Sequence, residues 1–119
     1  MTKEKEKTVR QLFEAYRVKD RSMIEPLLAD DFTFTSPYDD AIGKRAYFER
    51  CWPNSERIER HSLEEIVGSG DRVFVVYLCR TREGKEFRNV ETFDFEGSRI
   101  RAINVYFGAA YTDGVFQPS

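Results

Sequence analysis

The residues most able to do chemistry lie in one short stretch, Phe87-Arg88-Asn89-Val90-Glu91-Thr92-Phe93-Asp94-Phe95. Its composition predicts a strand, and strand side chains alternate between two faces. One face takes Phe87, Asn89, Glu91, Phe93 and Phe95; the other takes Arg88, Val90, Thr92 and Asp94. The phenylalanine face must point inward, so it carries an amide and a carboxylate into the interior. A carboxylate among aromatic rings is costly unless it is paired or hydrogen-bonded. Desolvation also raises its pKa toward the range in which a carboxyl group serves as acid or base near neutrality. Glu91 is the first catalytic candidate and Asn89 the second. The structural alternatives are an ion pair with an arginine, or a one-residue bulge that turns Glu91 outward.

The other reactive types are sparse. Cys51 and Cys79 form no CxxC pair, and His61 is the only histidine, so no metal site is expected. Two isolated cysteines read as free buried thiols, with a Cys51/His61 nucleophilic pair as the chemical alternative. Ser36-Pro37-Tyr38-Asp39-Asp40 gathers a hydroxyl, a phenol and two carboxylates in a turn-rich loop. Because it directly follows a strand, this loop is placed to rim a pocket through Ser36 and Tyr38.

These groups need elements to hold them. Val9, Leu12, Phe13 and Tyr16 fall at i, i+3, i+4 and i+7, one face of a first helix. The alternating charges Lys3 to Lys7 read as a frayed start. A short second helix is expected from about Ser22 to Ala29, with Pro26 in its first turn. Phe32 to Ser36 alternates as a strand. A third helix is expected from Lys44 to Trp52, stopped by Pro53, with Phe48 and Trp52 sharing a face. Strands then follow at 58–67, 73–80, 87–95 and 100–107, divided by turns containing Gly68, Gly84 and Gly97. Residues from Gly108 onward read as a tail of unassigned structure. In the last strand Ile103, Val105 and Phe107 form one face and Ala102, Asn104 and Tyr106 the other. Both faces are fairly apolar, which points to a pocket inside and a second copy of the chain outside. The tail, through Tyr111, Val115 and Phe116, is the alternative cover.

Composition narrows the partners. Nineteen basic and 21 acidic residues are interspersed, giving a net charge of −2. No basic stripe exists, so nucleic acid is not an expected partner. No apolar run approaches a membrane span, and the N-terminus lacks the apolar segment of a secretory signal. A cytoplasmic protein is the expectation. Ten phenylalanines in 119 residues suit a fold that walls a cavity or packs a dense core.

Two stretches together resemble a known family. Leu27-Leu28-Ala29-Asp30-Asp31-Phe32-Thr33-Phe34-Thr35-Ser36-Pro37 and the run from Phe87 to Gly108 resemble the SnoaL-like branch of the nuclear transport factor 2 (NTF2-like) superfamily. The order of elements matches from about Val9 to Gly108. The resemblance implies one α+β domain over residues 1–119, with its core at about 9–108. Its curved, mostly antiparallel sheet would wrap about three helices and enclose a cavity for a small apolar organic molecule. It further implies homodimers packed sheet to sheet, and acid–base chemistry without metal or cofactor. In the superfamily's ketosteroid isomerases the general-base aspartate falls at Ser36 here, the oxyanion-hole tyrosine at Leu12 with Tyr16 one turn later, and the protonated carboxylic acid at Glu91. The match places Asn89, Phe93, Ile103, Val105 and Phe107 on the cavity wall. Tyr16, Phe48 and Trp52 join them as aromatic residues that both pack the core and line a hollow fold. Fold alone does not choose among isomerase, cyclase, dehydratase, hydrolase and non-catalytic binding roles.

Overall fold

A computed structural model describes residues 2–118. Helix α1 spans Thr2–Val18 and buries Val9, Leu12, Phe13 and Ala15. The expected frayed start is helical instead. Its alternating charges suit a solvated helix face, and Lys5 reaches Asp71 across 3.6 Å.

The expected second helix does not form. Residues Arg21–Met23 and Glu25–Leu27 make two 3₁₀ turns, and the N-cap is Asp20, whose carboxylate accepts from the Ser22 N–H at 3.1 Å. A helix of eight residues makes few internal bonds, and Pro26 removes another donor. Leu28 gains more as the first residue of strand β1 (Leu28–Thr35), where it pairs with Ile100 and is fully buried. Helix α2 is shorter than expected, Lys44–Arg50, and Pro53 sits in the first turn of a following 3₁₀ segment, Trp52–Glu56.

Five further strands complete the sheet: β2 (Ile58–Ser69), β3 (Arg72–Thr81), β4 (Glu86–Glu96), β5 (Arg99–Thr112) and β6 (Val115–Gln117). Their order is β1-β5-β4-β3-β2, with β6 paired to the end of β5. Only β1 with β5 is parallel. The expected tail is therefore ordered: β5 continues to Thr112 and β6 returns along it as a hairpin. Irregular register in the β2–β3 and β4–β5 pairings bends the sheet. At one of these points a Cβ on Gly108 would lie 2.2 Å from the Arg88 carbonyl oxygen. Only glycine allows that approach. No helix among the described residues is long and apolar enough to cross a membrane.

Helix α1 packs on β2 and β3, and α2 packs on β1. Cross-strand register sorts the inward residues of β3, β4 and β5 into rows. Val73, Phe93 and Ile103 form the deepest row, all within 1% of full burial. Val75, Glu91 and Val105 form the next, and Tyr77, Asn89 and Phe107 the third. Phe107, at 46% exposure, marks where this inner surface meets solvent.

Candidate active site

Glu91 and Val105 of the second row and all of the third floor a cavity of about 550 Å³, with Asp39, Arg50 and Arg57 also on its wall. Helix α1 contributes Leu12, Phe13 and Tyr16 to its wall, α2 contributes Tyr47, and β2 contributes His61. The loop after β1 forms part of the rim. Ser36 accepts from the Tyr38 N–H at 3.1 Å, so its hydroxyl is held in the turn. Tyr38 is 77% exposed and meets Phe107 edge to face at 5.5 Å.

The floor carries a chain of hydrogen bonds. Asn89 Nδ2 donates to Tyr77 Oη at 3.1 Å, and the Tyr77 hydroxyl donates to Glu91 Oε1 at 2.7 Å. Asn89 and Glu91 are 5% and 7% exposed. No arginine or lysine pairs with Glu91 among the described residues. Burial pushes its carboxyl group up from 4.5 to about 7, while the Tyr77 hydrogen bond pulls the other way and only partly compensates. The strand alternation is kept through Glu91, so no bulge turns it outward.

A second polar pair lies across the cavity. The Tyr16 and Tyr47 hydroxyls are 2.6 Å apart. Burial raises both phenol pKa values, so both keep their protons. Two hydroxyl hydrogens serve one mutual bond, which leaves the other free to donate. Burial pushes His61 down to about 4, so its ring is neutral at physiological pH. It packs edge-on against Phe13 and Tyr77, each at 5.2 Å. Burial likewise pushes the Cys51 thiol up to about 11 and the Cys79 thiol to about 12. Both cysteines are free. A Cys51/His61 thiolate–imidazolium pair is thus disfavoured at both members, since each is driven toward its neutral form. Among the described residues no group of three or more His, Cys, Asp or Glu is arranged to hold a metal ion.

The structure brings Glu91, Asn89, Leu12, Tyr16, Ser36, Tyr38, Val105 and Phe107 to one cavity. Four residues expected on its wall lie elsewhere. Phe93 and Ile103 belong to the deepest row, which α1 covers through Phe13. Phe48 faces away from the cavity under the Arg21 guanidinium, 4.1 Å from its ring centre. Trp52 packs behind Tyr16 at 4.9 Å. The face of α2 turned to the cavity is that of Tyr47, one residue from the face read in the sequence. Tyr77 was not singled out either, although the turn at Gly84 sets it opposite Asn89.

A curved sheet wrapped over helices around an interior cavity defines an NTF2-like α+β domain. The family model for SnoaL-like domains matches residues 9–103, and the chain belongs to that family. No curated protein matches the sequence. Solved structures share the fold at low identity. One from Kribbella flavida, provisionally assigned as a ketosteroid isomerase, is 15% identical with a TM-score of 0.78, covering 99% of this chain and 85% of its own. An epoxide hydrolase of the LEH-like type from M. tuberculosis is 19% identical with a TM-score of 0.74, covering 89% and 84%. IdmH from Streptomyces antibioticus, provisionally assigned as a polyketide cyclase, is 16% identical with a TM-score of 0.75, covering 87% and 91%.

Proposed function

We propose that this protein is an acid–base enzyme that works without a bound cofactor on a small hydrophobic carbonyl or hydroxyl compound, with Glu91 as the proton-transfer group. The observation that carries the proposal is a buried carboxyl group in a mostly apolar cavity, bonded to a neutral phenol and, among the described residues, to no cation. Near neutral pH such a group is present in both protonation states, which is the condition for efficient general acid–base catalysis. The free hydroxyl hydrogen of the Tyr16–Tyr47 pair is suited to polarise a carbonyl oxygen. Isomerisation, aldol-type cyclisation, dehydration and hydrolysis all use this combination.

A non-catalytic binding role has one observation in its favour. The position of the ketosteroid isomerases' aspartate base is Ser36, whose hydroxyl is held by the Tyr38 backbone. The test is a panel of small ketones, lactones and phenols, screened first by thermal stabilisation and then for turnover. A compound at 100 times its dissociation constant stabilises the fold by about 2.7 kcal/mol. Glu91→Gln is expected to lower turnover of any substrate found by about 10²- to 10⁴-fold while ligand binding persists. Full activity in that variant removes Glu91 from the mechanism. Ligands that bind and are recovered unchanged favour the binding role.

The proposal extends to a homodimer through the outer sheet face. Phe74, Val90 and Tyr106 are 38%, 37% and 59% exposed there, and β6 does not cover them. Sedimentation at micromolar concentration is expected to give twice the chain mass, and a monomer would leave this face for another partner.

A further inference from the structure

We propose that the molecule held in the cavity presents a hydroxyl or N–H to Asn89, so that Asn89 selects for a ligand that carries a hydrogen-bond donor. This rests on the pocket reading above and deepens it. The Asn89 amide has two N–H donors and an oxygen with two lone pairs. Its nitrogen donates to Tyr77. Its oxygen, Oδ1, is buried without any hydrogen-bond partner, and no other side-chain nitrogen or oxygen among the described residues shares that condition. Buried polar atoms are otherwise almost always paired.

Rotating the amide does not solve the problem while Glu91 is ionised. Oδ1 would then face Tyr77 Oη, but the Tyr77 hydrogen is already given to Glu91 Oε1 at 2.7 Å. The amide N–H that now bonds Tyr77 would lose its acceptor. The Tyr77–Glu91 bond therefore fixes which end of Asn89 is left over. The side chain that faces Asn89 from β5 is Phe107, which has nothing to donate. Asn89 lines the cavity, so a small turn of its side chain would bring Oδ1 to the cavity's contents, which can supply the missing donor. A water can serve in the free protein. An apolar ligand that displaces the water must supply an equivalent donor or leave the acceptor buried and unpaired.

The ligand class follows. It is a small apolar alcohol, phenol, enol or N–H compound, with its polar hydrogen toward Asn89. Asn89 and Glu91 lie two residues apart on one face of β4, so that hydrogen is held beside the carboxyl group. Sites built to bond a hydroxyl discriminate strongly against analogues without one.

Two matched pairs test this in calorimetric titrations of the whole protein: 2-naphthol with 2-methoxynaphthalene, and 4-tert-butylphenol with 4-tert-butylanisole. The hydroxyl compound is expected to bind wild type at least about tenfold more tightly than its ether. In Asn89→Ala the ratio should fall to about threefold or less. Ethers that bind wild type as well as the phenols would overturn the donor assignment and leave the pocket reading standing. A preference that survives in Asn89→Ala would take the role away from Asn89. Binding of neither member of either pair would remove the hydrophobic-pocket reading and this inference with it. The wild-type comparison needs no variant, so it tests the donor requirement even if Asn89→Ala does not fold, and Asn89→Leu, which fills the space without an acceptor, then tests the assignment to Asn89.

Discussion

On strand β4, Glu91 and Asp94 stand three residues apart and point to opposite sides of the sheet. Asp94 lies directly across from Arg72 on β3 and accepts its guanidinium through both oxygens. Arg88, also on the outer side, is paired with Glu64 in the same two-pronged way. On the inner side Glu91 lies between Val75 and Val105, takes one hydrogen bond from a phenol, and has no cation among the described residues. Outside, charge is neutralised by charge and by water. Inside, a carboxyl group is kept where it destabilises the fold once ionised. A purely structural position has no use for such a group, which is why the contrast supports a functional one.

The contrast is sharpest in pH dependence. The folded-state pKa of Glu91 lies above its unfolded value of 4.5, at about 7. The folded protein therefore holds the extra proton between those values, and stability falls as pH rises through that interval. Above it the penalty is on the order of 3 kcal/mol, at about 1.4 kcal/mol per pH unit. Glu91→Gln is expected to be more stable than wild type by up to that amount at pH 8 and equal to it below pH 4.5, as read from urea unfolding at each pH. His61 has the opposite sign. Its pKa falls from 6.5 unfolded to about 4 folded, so its contribution is complete above pH 6.5 and is lost on acidification toward 4. In wild type the two slopes oppose each other between pH 4.5 and 6.5. The variant should therefore show a steeper rise in stability with pH across that range than wild type does.

A smaller effect is expected at Tyr77. Tyr77→Phe removes the donor that holds the Glu91 pKa down, so the Glu91 titration should move above 7, visible by carboxyl-carbon NMR. Stability should drop by about 1–3 kcal/mol as buried groups lose partners. A titration that stays in place would mean that the Tyr77 bond is not what tunes Glu91. The smallest effect belongs to the outer face. Asp94→Asn breaks a solvent-accessible pair and should cost about 1 kcal/mol or less, with turnover unchanged within about twofold. A loss at Asp94 as large as that at Glu91 would dissolve the comparison.

Much of the fold was legible because it depends on short-range patterns. The apolar stripe of α1, the β-branched strand around Val75 and the glycine turns at 84 and 97 each signal locally, and each is found near its expected place. The misreadings occur where local signals competed. Leu27 and Leu28 suit either a short helix or a strand, and pairing with Ile100 decided for the strand. On α2, Tyr47 and Phe48 are adjacent aromatics, and only the placement of α2 against β1 turns Tyr47 inward. The continuation of β5 past Gly108 depends on a backbone approach to Arg88 that no short window reveals.

The sequence by itself determined that Asn89 and Glu91 share the inward face of their strand, because a two-residue period is a property of the extended backbone alone. Only the tertiary structure decided what they meet there. The register of β3 against β4 set the Tyr77 hydroxyl between them, and the curvature of the sheet under α1 buried Phe93 and Ile103 while leaving Glu91, Val105 and the row of Tyr77, Asn89 and Phe107 to face the cavity. No arginine was brought within reach of Glu91. These are pairings between distant segments, fixed by packing and register, and they separate a carboxyl group that merely faces inward from one poised to exchange a proton.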